Sequence, residues 1–124
     1  MAEFKVLLVD DEEELVSTLV ERLGYRDIEA EYALDGHSAL RMMQAGGYDV
    51  VVLDLKLPGM GGREVLRRIR DSYPRLPVLM ITGHGAIAGE QEAEPEGTAD
   101  YLLKPVQLQE LIDRMREAVS GRER

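Results

Sequence analysis

Cysteine is absent from the chain, so neither a disulfide framework nor a thiolate metal site is available to it. Long apolar runs are missing too: the longest, such as residues 50–53, are far too short to span a bilayer. The stretch from Met1 to Lys5 lacks the basic segment and long apolar run of a signal peptide. These absences lead us to expect a soluble, cytoplasmic protein with no membrane partner. Basic charge is scarce, with 15 Lys and Arg against 24 Asp and Glu and a formal net charge of −9. A surface of that sign repels phosphate backbones, so direct nucleic-acid binding by this segment is not expected. No internal repeat or long linker interrupts the 124 residues, and the five prolines are scattered. We therefore expect one domain over residues 1–119, followed by a short polar tail, 120–124. A chain of this size can bury roughly two-thirds of its unfolded surface without staples.

What is present is an alternation of short apolar runs with amphipathic stretches, the mark of an α/β fold with a parallel sheet. The runs at 6–9, 50–53 and 78–81, and a shorter one at 101–103, are apolar on both faces, as strands covered by helices above and below must be. A weaker strand at 28–33 carries Glu29 and Glu31 on one face, which places it at an edge. Between the strands, Leu15, Leu19 and Leu23 fall four apart with Val16 and Val20 beside them, and Gly24 closes that helix. A second helix runs from Gly36 or His37 to about Ala45, capped by Asp35. A third follows Gly62 and ends before Pro74. The last places Leu108, Leu111, Ile112, Met115 and Val119 on one face. The slot at 86–98, between strands four and five, is poorly filled. Ile87 is its only large apolar residue, Pro95 breaks an interior turn, and Glu90, Glu92, Glu94 and Glu96 set like charges four apart. A short, frayed fourth helix is expected there. Right-handed crossovers then give a doubly wound, flavodoxin-like five-stranded parallel sheet, with 2-1-3-4-5 as the order known for that class.

Ligands of such sheets bind beyond the carboxyl ends of the strands. Strand one ends in Asp10-Asp11, strand three in Asp54, strand four in Thr82 and strand five in Lys104-Pro105. Three carboxylates brought to one edge resist ionising together, and a hard divalent cation relieves that repulsion. Oxygen-only ligands suit Mg²⁺, which also keeps room for waters and a phosphoryl oxygen. The Lys104 ammonium and the Thr82 hydroxyl are donors able to hold the equatorial oxygens of a transferring phosphoryl group. A carboxylate nucleophile would then give an acyl phosphate, and Asp54, at the middle of the sheet, is the natural choice. Each residue also has a plainer reading. Asp10 to Glu14 fit a solvated helix start, Thr82 a turn hydroxyl before Gly83, Lys104 a surface lysine, and Tyr101 a packing residue. The side chains of Lys56 and His84 fit exposed polar positions beside the site as well as functional ones.

The stretches LLVDDEEE, VVVLDLKLPGMGG, VLMITGHG and DYLLKP together resemble the four motifs of response-regulator receiver domains of two-component signal transduction. The resemblance covers Lys5 to about Val119, and order and spacing both match. It implies that Asp54 accepts a phosphoryl group from a histidine of a sensor kinase or phosphotransfer protein. It further implies that Asp10, Asp11, Asp54 and the backbone carbonyl of Lys56 bind Mg²⁺, and that Thr82 and Lys104 contact the phosphoryl group. By the same match the Lys104–Pro105 bond is cis, Tyr101 is a switch aromatic that responds to Thr82, and an output domain or effector protein reads the result. The family would use the fourth-helix face to pair two receivers, so a frayed helix there leads us to expect a largely monomeric unphosphorylated protein. Two other chemistries fit poorly. An aspartate-nucleophile phosphatase of the haloacid-dehalogenase type wants a second Asp where Lys56 stands, and a flavin phosphate would be repelled by DDEEE. The alternative that remains is a receiver acting as a protein-binding module without phosphorylation.

Overall fold

The computed structural model describes residues 2–83 and 100–122. Five parallel strands, β1 (Lys5–Val9), β2 (Glu29–Ala33), β3 (Val50–Asp54), β4 (Val78–Thr82) and β5 (Asp100–Leu103), form one sheet in the order β2-β1-β3-β4-β5. Four helices are described: α1 (Glu13–Gly24), α2 (Gly36–Ala45), α3 (Gly62–Ser72) and α4 (Leu108–Arg122). This is the doubly wound, flavodoxin-like arrangement expected from the sequence. The frayed helix expected over 86–98, like His84, lies outside the described residues.

The apolar alternation sorts into two cores, one on each face of the sheet. Leu7, Val9, Val51, Leu53, Val78 and Met80 point to the side covered by Ala39 and Met43 of α2 and Val65, Leu66 and Ile69 of α3. Val6, Leu8, Val50, Val52, Leu79 and Ile81 point to the side covered by Val16, Leu19 and Leu23 of α1 and Leu111, Ile112 and Met115 of α4. Central β3 and β4 are buried at every position, whereas edge strand β2 leaves Glu29 exposed. Here the two glutamates report an edge because their charge needs water or a partner: Lys5 Nζ sits 3.8 Å from a carboxylate oxygen of each.

Local signals set the ends of several elements. The Asp35 carboxylate accepts the Ser38 N–H at 2.7 Å and so caps α2. β2 starts at Glu29 rather than Ile28, because the Ile28 N–H goes back to Leu23 O at 3.0 Å and completes the turn out of α1. α4 continues to Arg122, three residues beyond the end of its apolar stripe at Val119, so part of the polar tail is helical. Gly62 opens α3 where a Cβ would collide with Asp54 O and the Leu55 backbone; its own N–H donates to Leu55 O at 3.0 Å. The start of α3 is thereby seated on the end of β3. Among the described residues no helix is long and apolar enough to cross a membrane.

Candidate functional site

Register alone brings the polar strand ends together. Val9 is paired with Leu53 and Asp54 with Ile81, so Asp10 follows at the level of Asp54, with Thr82 one step beyond Ile81. Backbone bonds carry the ladder past the strands: Asp10 N–H to Ala33 O at 3.1 Å, Leu55 N–H to Ile81 O at 2.9 Å, and Lys104 N–H to Thr82 O at 2.8 Å. The last of these places Lys104 beside Thr82. The Lys104–Pro105 peptide is cis.

Asp10, Asp54 and Thr82 are the only polar or charged residues buried among those described, at 0%, 4% and 0% exposure. Asp10, Asp11 and Asp54 can each offer an oxygen within 4.8 Å of the others, with Asp11 on the solvent side. The Asp10 Oδ1 accepts the Glu12 N–H at 2.9 Å, and Asp54 Oδ1 accepts the Lys56 N–H at 3.1 Å. Among the described residues, one cation faces this group. Lys104 Nζ lies 2.5 Å from Glu12 Oε1, 2.8 Å from Asp10 Oδ2 and 3.3 Å from Asp54 Oδ2. The contact to Asp10 Oδ2 is an ion pair by distance but not an aligned hydrogen bond, and among the described residues that buried oxygen has no hydrogen-bond partner. Among the described residues, buried Thr82 Oγ1 has none.

The electrostatics follow from this crowding. Burial pushes the Asp54 carboxyl above its ordinary pKa; the Lys56 N–H pulls the other way, Asp10 adds to the rise, and Lys104 offsets only part of it. For Lys104, burial disfavours the ammonium, but its close contacts with the Asp10 and Glu12 carboxylates outweigh it and the net shift is upward. A firmly charged ammonium thus sits in a nest of carboxylates that it does not neutralise. Such a group fits a hard cation at the Asp10, Asp11 and Asp54 oxygens, and the orphan Thr82 hydroxyl fits a ligand that brings acceptor oxygens.

All the residues read from the strand ends therefore lie at one edge. Lys56 is exposed two positions past Asp54. Tyr101, paired with Met80 on β5, is half-buried and packs against the α2/α3 core. Sequence reasoning passed over Glu12, which it counted only as part of a helix start. Its side chain caps nothing on α1 and reaches Lys104 instead.

Comparison with known proteins gives one consistent answer. The family model described as the response regulator receiver domain matches residues 6–116. The transcriptional regulatory protein TrcR of Mycobacterium tuberculosis is 38% identical over 112 residues, which is 90% of this chain and 44% of that protein. The response regulator protein FleR of Pseudomonas aeruginosa is 38% identical over 109 residues, 88% of this chain and 23% of that protein. A receiver domain protein from Clostridium thermocellum superposes with a TM-score of 0.88 at 30% identity, covering 97% of each chain. The chain spans about half or less of the curated relatives it matches.

Proposed function

The chain belongs to the response regulator receiver domain family, and we propose that it works as a phosphoacceptor switch whose nucleophile is Asp54. The carrying observation is Asp54 itself, a carboxylate 4% exposed at the end of the central strand, within reach of an acidic pair and an ammonium. In the proposed reaction an Asp54 oxygen bonds to phosphorus as the P–N bond of a phosphohistidine breaks, and the imidazole leaves with a proton. Lys104 and Thr82 supply donors to the phosphoryl oxygens. Thr82 suits the role because its hydroxyl is buried and has no hydrogen-bond partner among the described residues. Mg²⁺ held by Asp10, Asp11, Asp54 and the Lys56 carbonyl would neutralise the excess negative charge. Tyr101, at the rim of the α2/α3 core, is the proposed reporter of Thr82 movement. The phosphoryl donor would be a sensor histidine kinase or phosphotransfer protein in the cytoplasm. The names of the relatives support an output that controls transcription, through a domain or effector outside the described residues.

Incubation with acetyl phosphate, followed by intact mass measurement, tests this. One phosphoryl group should add in the presence of Mg²⁺, and none with a chelator or in Asp54→Asn. Labelling that survives Asp54→Asn would remove the site. A wild-type chain that never labels would leave the protein-binding module as the reading to pursue.

A further inference from the structure

We propose that Glu12 is a positioning residue that latches Lys104 in the unphosphorylated protein and competes with the phosphoryl group for its ammonium. The proposal builds on the phosphoacceptor reading of Asp54. Three observations carry it. Glu12 Oε1 is the nearest carboxylate to Lys104 Nζ, at 2.5 Å, ahead of both Asp10 and Asp54. Glu12 stands at the N-cap of α1, where a side chain ordinarily accepts a backbone N–H, yet it makes no such bond. Its backbone is also fixed, with its N–H on Asp10 Oδ1 and its carbonyl accepting the Val16 N–H at 3.1 Å, so the side chain springs from a defined point beside the pocket.

The other two carboxylates around Lys104 have further work in the proposed reaction, Asp10 toward a cation and Asp54 toward phosphorus. Glu12 has none, and it remains as the ammonium's competitor when a phosphoryl oxygen arrives. Its side chain is 57% exposed while that of Lys104 is 18% exposed, so Glu12 can swing to solvent and Lys104 cannot follow. Opening the latch should therefore cost the modest amount of an ion pair half open to water, about fivefold in affinity for the incoming group.

Beryllofluoride with Mg²⁺, titrated and followed by fluorine NMR on the full chain, reads this directly. Relative to wild type, Glu12→Gln should bind about fivefold more tightly. Glu12→Asp should do the same, because its carboxylate keeps the charge but is one methylene too short to hold Lys104. Glu14→Gln, an equal charge change at an exposed position of the same helix start, should leave binding unchanged. If Glu12→Asp behaves as wild type, or Glu14→Gln matches Glu12→Gln, general electrostatics accounts for the effect and the latch is refuted. If wild type binds no beryllofluoride, the phosphoacceptor reading itself falls and the latch falls with it.

Discussion

Two charged clusters in this protein are near mirror images. On the exposed face of α3 one carboxylate, Glu64, is shared by two guanidiniums, with contacts of 2.6 Å to Arg67 and 2.9 Å to Arg68. At the sheet edge one ammonium, Lys104, is shared by three carboxylates from two separate segments. The first cluster is local, built from i,i+3 and i,i+4 neighbours in water, and adds little to stability. The second is tertiary and largely dry, where incomplete pairing is costly. Stability alone does not explain such a cluster, whereas the proposed phosphoacceptor role, which brings a cation and a phosphoryl group to it, does.

The largest effect should come from removing the buried cation. Lys104→Ala leaves Asp10 and Asp54 facing each other, and should cost about 3 kcal/mol in urea unfolding with a chelator present. Mg²⁺ should restore much of that loss. A variant as stable as wild type without metal would mean that the pocket is not charge-frustrated.

Removing a carboxylate should act in the opposite direction. Asp54→Asn keeps an acceptor for the Lys56 N–H but loses a charge that burial and Asp10 disfavour. The metal-free protein should gain stability on the order of 1 kcal/mol while losing all phosphorylation. Loss of stability would show that the Lys104 contact dominates.

The two clusters should also respond oppositely to pH. The Asp54 pKa is raised in the fold, so its contribution is fully present below the ordinary carboxylate pKa and is lost as pH rises through the folded value. That decline should vanish in Asp54→Asn. Glu64 is lowered to about 2 by hydrogen bonds from Arg67 and Arg68. Its contribution is present above the unfolded carboxylate value and is lost as pH falls toward about 2. Thermal melts across the acidic range separate the two signs. The smallest effect belongs to Arg68→Ala, which should barely move the unfolding midpoint, since Glu64 keeps Arg67.

The same contrast explains what the sequence made legible. Strands β3 and β4 were readable because they are apolar throughout, and β2 because Glu29 and Glu31 mark an edge. The polar residues ending those strands stood out against buried neighbours, and a parallel sheet necessarily gathers them at one edge. Partner choice within that edge was not readable. Glu12 and Lys104 are 92 positions apart, and nothing local tells which of several acidic side chains reaches the ammonium. Nor does sequence show that Gly62 packs on Asp54 O, because that contact depends on where α3 lands.

On the proposed function, this charge-frustrated edge serves to phosphorylate Asp54. Borohydride reduces an aspartyl phosphate to homoserine, which peptide mass spectrometry can place. After acetyl phosphate and Mg²⁺, homoserine should appear at position 54 alone, and nowhere when the metal is chelated. Homoserine at position 10 or 11, or its absence under all conditions, would contradict the account.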